Sequence, residues 1–214
     1  MIYFGLDLGQ ATDYTALVAV DRKLVRVDRN SDTKQTQFHV RHAERFALGT
    51  TYPMIVEKVG ERVNAIGIEN GYMLLPDATG VGRPVVDMFR KQGLKLVPIT
   101  ITGGDKALFD VQLGGWRVPK RDLVSNAQVL LQNGQLKFAK DLMHGKTLID
   151  ELLNFKLKVS NAGHDSYEAW REGEHDDLVL ALLMACWYAK LYGTDSNPQA
   201  VMNIPNPWLK IEVI

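Results

Sequence analysis

The chain has 214 residues, 46% of them hydrophobic and 23% charged, values that indicate neither disorder nor a membrane class. Its 25 Lys and Arg balance 25 Asp and Glu, so the net charge is zero, and any grip on a nucleic acid must come from a local patch or a partner domain. No apolar run reaches the ~18 residues of a spanning helix, and Asp7 interrupts the first apolar stretch, so no signal-peptide pattern opens the chain.

Residues 2–8 (IYFGLDL) read as a buried strand, and the turn over 9–13 leads to a second strand over 14–20, so the two predict a hairpin. Residues 21–34 carry Arg22, Lys23, Arg26, Asp28, Arg29 and Asp32 and predict a solvated loop with at most a short strand at 24–27. Residues 37–48 (QFHVRHAERFAL) predict the third strand of a meander. Thr50, Thr51 and Pro53 announce a helix whose Ile55, Val56, Val59 and Val63 recur at core-facing spacing. A short strand is predicted over 65–69 and an apolar strand over 72–77 that ends in Asp77. The turn 78–82 (ATGVG) then opens a helix over 84–92 that Gly93 stops. Residues 94–101 predict a strand in which Pro98 favours an edge or a bulge.

The middle of the chain is more basic. Pro119 opens a helix over 119–132, Gly134 stops it, and 136–139 predicts a short strand. A helix over 144–154 precedes a predicted hairpin formed by 155–160 and 166–170. The last helix covers 174–191 and includes Cys186, which reads as a small core residue in a reducing compartment. From Thr194 the chain holds Pro198, Pro205 and Pro207, so 194–214 predicts an extended tail behind a single domain over 1–193. The order of elements predicts an α/β fold: a mixed sheet with helices on both faces and a small extra β-hairpin.

Four carboxylates stand out. Asp7 lies in an oily strand, where a charge is costly unless it binds something positive, although the turn over 9–12 could also supply it with hydrogen bonds. Asp77 follows an apolar run and either joins Asp7 or braces the glycine-rich turn. Asp176 and Asp177 precede the apolar run 178–186, and one of them serves as a helix cap. Neighbours on a helix point about 100° apart, so Asp177 is assigned to the site, and Asp176 caps or assists. Glu69 reads as structural, and Glu174 and His175 as solvated. Together, three chain segments each deliver carboxylate oxygen, which suits Mg²⁺ or Mn²⁺. Two such ions about 4 Å apart can drive an in-line phosphodiester displacement.

At the level of motifs, residues 4–20 (FGLDLGQATDYTALVAV), 74–93 (LLPDATGVGRPVVDMFRKQG) and 174–189 (EHDDLVLALLMACWYA) resemble the three acidic motifs of the nuclease domain in the large terminase subunit of tailed phages. That resemblance implies a ribonuclease-H-like fold, with Asp7, Asp77, Asp176 and Asp177 as metal ligands for two ions and Asp7, Asp77 and Asp177 as catalytic residues. It also implies cleavage of double-stranded DNA concatemers with little sequence specificity, in the host bacterial cytoplasm during virion assembly. Implied partners are an N-terminal packaging ATPase domain, a portal and a small terminase subunit; no membrane is implied. Because the first strand follows Met1 directly, an excised domain with an added Met is expected.

Basic residues for a DNA groove are Lys106, Arg117, Lys120, Arg121, Lys137 and Lys140, with Lys146, Lys156 and Lys158 beyond them. Trp116, Trp170, Trp187 and Trp208 read as core or interface. Competing functions are a Holliday-junction-resolvase-like or ribonuclease-H-like nuclease and a portal-docking module. An actin- or sugar-kinase-like ATPase is a further alternative, because FGLDLGQ also resembles the first phosphate loop of that superfamily.

Overall fold

The computed structural model describes residues 1–9, 13–27, 32–67, 71–80, 82–161 and 176–192. Three antiparallel strands, β1 (Ile2–Asp7), β2 (Ala16–Arg26) and β3 (Lys34–Arg45), form the meander. Helix α1 (Tyr52–Gly67) leads to β4 (Tyr72–Pro76), which lies parallel to β1, and α2 (Gly82–Lys91) follows. Next come β5 (Ile99–Thr102), β6 (Leu108–Asp110) and β7 (Gly115–Pro119). The described chain ends with α3 (Lys120–Gln132), β8 (Leu136–Phe138), α4 (Gly145–Asn161) and α5 (Asp177–Tyr192).

The strand orders are β4-β1-β2-β3-β8 and β5-β7-β6, and parallel bridges from Leu74 to Leu96 and from Asp77 to Ile99 join the two sheets. Strand alternation gives the sheet two apolar faces. Phe4, Leu6, Leu17 and Ala19 bury one face under α1 and α2, through Ile55, Val59, Val63, Val86 and Phe89. Tyr3, Val18 and Val20 bury the other under α3, α4 and α5. The α/β class, the mixed sheet and the helices on both faces are therefore as expected.

Helix α5 is apolar all round, and its residues from Asp177 to Ala189 are buried except Leu180. It lies directly on β1 because residue 5 is glycine: a Cβ there would stand 1.8 Å from the Ala181 carbonyl oxygen. Cys186 is fully buried and its thiol is pushed up to about 12 by that burial. Trp116 and Trp187 meet edge to face at 5.8 Å, which makes them packing residues. Trp170 and Trp208 lie outside the described residues. Gly93 and Gly134 do end α2 and α3, in left-handed backbone at φ 74° and 61°.

Several elements differ from expectation. Residues 21–34 are not mainly loop: β2 continues to Arg26 and pairs with β3 from Lys34. This ribbon runs past the core, leaving Leu24 and Val27 exposed, so no alternation marked it. Residues 65–67 are the last turn of α1 and not a strand, while Glu69 lies outside the described residues. The strand predicted over 94–101 shrinks to a bridge at Leu96 and to β5, because Pro98 has no N–H to donate. Residues 155–160 are helical, the end of α4, and the other half of that predicted hairpin lies outside the described residues. Leu148, Leu152 and Phe155 carry the helical spacing up to the start of the alternating FKLKVS stretch, where α4 continues to Asn161. The small hairpin is instead β6–β7, turned by Asp110, whose Oδ1 accepts the Gln112 and Leu113 N–H groups at 3.0 and 3.1 Å. The last helix begins at Asp177; Glu174, His175 and the tail 194–214 lie outside the described residues.

Candidate active site

Because Leu6 pairs with Pro76 on the adjacent parallel strand, Asp7 and Asp77 leave the same sheet edge side by side. The Asp77 N–H donates to the Leu6 carbonyl at 2.8 Å. Its Oδ1 accepts the Thr79 N–H at 2.7 Å and also the Thr79 hydroxyl. The same hydroxyl oxygen accepts the Ile101 N–H at 2.8 Å, so Thr79 ties Asp77 to β5 as well as to its own turn.

Asp7 falls on the strand face of Tyr3 and Gly5, the face that α5 covers. Asp176 occupies the N-cap position of α5, its carbonyl accepting the Leu180 N–H at 2.9 Å. Asp177 is the first helical residue and only 5% exposed. Burial, followed by the charges of Asp77, Asp177, Asp176 and Asp13, raises the Asp7 carboxyl well above the usual carboxylate range. The structure thus brings Asp7, Asp77, Asp176 and Asp177 to one edge from three separate segments.

The model of the terminase RNaseH-like domain family matches residues 4–188. The chain belongs to that family. It is similar to the large terminase subunits of Thermus phage G20c and Thermus virus P23-45, 27% identical to each over 135 residues. Those matches cover 63% of this chain and 24% of each relative, so the chain spans about a quarter of their length. A crystal structure titled as the large terminase nuclease of the thermophilic phage G20c with bound zinc shares the fold, with a TM-score of 0.52 at 22% identity. That likeness covers 86% of this chain and 79% of the other.

The donor chemistry of the terminase domain fits a hard divalent cation: the converging groups are carboxylates, and their mutual repulsion, visible at Asp7, is what a cation would remove. Among the described residues no three such side chains close tightly enough around one point to hold an ion as they stand. Beside the acids, Gly9, Asp13, Thr15, Thr50 and Tyr52 line a cleft of about 400 Å³.

Two charged groups at this edge were missed from sequence. Arg45, at the end of β3, lies opposite Ala16, which in turn neighbours Asp7 across β1 and β2. Its Nη2 stands 2.5 Å from Glu151 Oε1 and 3.2 Å from Asp177 Oδ2. Its guanidinium lies 4.9 Å over the Tyr14 ring. Glu151 comes from α4 and accepts the Val179 N–H at 3.2 Å. The only sequence signal for Glu151 is its spacing from Leu148 and Phe155, which puts a carboxylate in a core row; Arg45 gave none.

The predicted DNA-binding residues divide. Strands β1, β3, β4, β5, β7 and β8 share one direction, so their carboxyl ends form the acidic edge. Lys106, Lys120 and Arg121 follow β5 and β7 at that edge, and Lys140 follows β8 on the opposite flank. Arg117 and Lys137 lie within strands β7 and β8, and both are exposed. Arg117 pairs with Asp110 at 3.0 Å and Arg121 with Asp105 at 3.1 Å. Lys146 pairs with Asp150 at 2.8 Å, and the side chains of Lys156 and Lys158 are outside the described set.

A pH effect follows from the buried carboxyls. Glu151 is raised to about 7, mainly by burial, with Asp177 and Asp176 adding to it and Arg45 opposing. A carboxyl raised in the folded state binds more protons there than in the unfolded chain. The stability this confers is full below the unfolded value near 4 and is lost as pH climbs through the folded value. The metal-free terminase domain should therefore melt lower at pH 8 than at pH 6 in EDTA, and Mn²⁺ should raise the melting point more at pH 8. Scanning calorimetry at both pH values checks this, and a higher EDTA melting point at pH 8 would contradict it.

Proposed function

We propose that this domain is a metal-dependent endonuclease that hydrolyses phosphodiester bonds in double-stranded DNA concatemers during viral genome packaging, with two Mg²⁺ or Mn²⁺ ions and little sequence specificity. The observation that carries the proposal is the convergence on Asp7 of Asp77, Asp176 and Asp177, whose charges add to burial in raising its carboxyl. Asp7, Asp77 and Asp177 act as the catalytic ligands, and Asp176 completes the metal set from the N-cap of α5. Bound divalent ions supply an activated water and stabilise the leaving oxygen.

The protein's own contribution is to hold oxygen ligands still at an edge that a duplex can approach. Thr79 fixes Asp77 through the Asp77 carboxylate and the Ile101 N–H, and Gly5 lets α5 deliver Asp177 against β1. Lys106, Lys120 and Arg121 on one flank and Lys140 on the other, with Arg117 and Lys137, would meet backbone phosphates, which gives salt-sensitive and sequence-independent binding. In the full machine the domain would work beside an N-terminal packaging ATPase, a small subunit and a portal, in the bacterial cytoplasm during assembly. The carboxylate donor set favours Mg²⁺ or Mn²⁺, and Zn²⁺ is the comparator because the solved relative carries it.

The test is plasmid cleavage by the purified chain with Mg²⁺, Mn²⁺ or Zn²⁺ across a salt series. Cleavage should need metal, stop with EDTA, fall as salt rises and disappear in Asp77→Ala and Asp177→Ala variants that retain the wild-type circular dichroism spectrum. Undiminished cutting by both variants would remove these acids from the mechanism.

A further inference from the structure

Helix α5 is capped from outside itself. The first N–H groups of a helix have no intrahelical partner, and a side chain at the N-cap usually accepts from the second or third of them. Here the Val179 N–H donates to Glu151 Oε2 at 3.2 Å, from a residue 28 positions earlier in the chain. The other oxygen of Glu151 accepts from Arg45 Nη2 at 2.5 Å, and that nitrogen also stands 3.2 Å from Asp177 Oδ2. Both members of the pair are well shielded, with side-chain exposures of 14% for Arg45 and 8% for Glu151.

Such a buried ion pair is a poor source of stability, because desolvating two charges offsets most of their attraction. Apolar residues would join β3, α4 and α5 as well. What they would not supply is a cation beside the Asp177 carboxylate and a carboxylate acceptor for the Val179 N–H at the start of α5.

We propose that Glu151 and Arg45 are positioning residues that fix Asp177 for divalent-metal binding, Glu151 by capping α5 and holding Arg45, and Arg45 by orienting the Asp177 carboxylate through Oδ2. This role rests on the nuclease function proposed above. Groups that orient metal ligands in this way typically contribute about 10–100-fold to metal affinity.

The experiment measures Mn²⁺ affinity of the full chain by electron paramagnetic resonance, alongside the Mn²⁺ concentration giving half-maximal plasmid cleavage. Glu151→Ala and Arg45→Met should each weaken Mn²⁺ binding about 10–100-fold and raise the half-maximal concentration in step, with cleavage recovering at saturating Mn²⁺. Glu151→Gln keeps an acceptor for Val179 and Arg45→Lys keeps the charge, so both should fall between these variants and wild type. They also carry the test if Glu151→Ala does not fold.

A purely structural role would lower the melting temperature while Mn²⁺ affinity stayed unchanged, and unchanged or tighter binding in Arg45→Met and Glu151→Gln would overturn the proposal. Wild-type protein that binds Mn²⁺ but cuts no DNA would remove the nuclease function and leave the positioning role to the affinity series. Wild-type protein that binds no Mn²⁺ would overturn both.

Discussion

Replacing Asp7 with Asn should reduce metal-dependent cleavage by at least about a thousandfold while making the metal-free protein more heat-stable. The two effects have one cause. Asp7 stands at a place where burial and four neighbouring aspartates oppose its charged form, a conflict that a cation resolves. Asn keeps the shape and removes the charge, so the apo fold is relieved, while a divalent ion held as proposed above would lose an anionic oxygen. Metal activation is worth several kcal/mol of transition-state stabilisation, and about 1.4 kcal/mol is tenfold in rate. On the stability side, each ~1 kcal/mol of relief shifts the melting temperature of a chain of this size by about 2–4 °C. Calorimetry in EDTA paired with plasmid cleavage in Mn²⁺ reads both. A variant that is inactive but less stable without metal would show that Asp7 is braced by hydrogen bonds and does not suffer repulsion.

Gly5→Ala should destabilise the fold by about 3 kcal/mol or more, at or beyond the upper end of overpacking changes. The added Cβ would meet the Ala181 carbonyl oxygen at 1.8 Å and its carbonyl carbon at 2.7 Å. A helix backbone cannot turn aside as a side chain can, so the whole of α5 must lift. Gly104→Ala is the matched control, since the nearest atom to a Cβ there is the Thr102 hydroxyl oxygen at 3.6 Å, an ordinary contact expected to cost under about 0.5 kcal/mol. Urea denaturation of the two variants should separate them clearly. Equal midpoints would mean that α5 and β1 are not in the contact described. Cleavage by Gly5→Ala at temperatures where it remains folded should also fall, because α5 carries Asp177 at its tip.

The central sheet was legible because its strands are buried on two faces or one, and burial leaves an apolar signature. Asp7, Asp77 and Asp177 stood out for the same reason, as charges set into apolar runs. The β2–β3 ribbon was illegible because its far half runs past the core and leaves Leu24 and Val27 exposed, so Lys23, Leu24 and Arg26 follow no core-facing rule. Strand β6 is only three residues long and its hairpin depends on the Asp110 side chain, a local hydrogen-bonding device with little periodicity to detect. The alternation over 155–160 pointed to a strand, while helical spacing carried forward from Leu148 decided the matter. Arg45 and Glu151 escaped notice for another reason. Arg45 is an ordinary charged residue in its own segment, Glu151 differs only in sitting in a core row, and only the fold brings them to α5 and to each other.

The carboxylates come from the first strand, the residue just after the fourth strand and the start of the last described helix, 170 positions separating Asp7 from Asp177. No local fragment contains more than a part of the set. A chain emerging from the ribosome therefore carries Asp7 and Asp77 long before Asp177 exists, and closing so distant a contact is among the slower events of folding. Whatever chemistry this edge performs is withheld from every incomplete chain and from any molecule in which α5 has lifted away. On the function proposed above, the topology completes the acid set only in the folded domain.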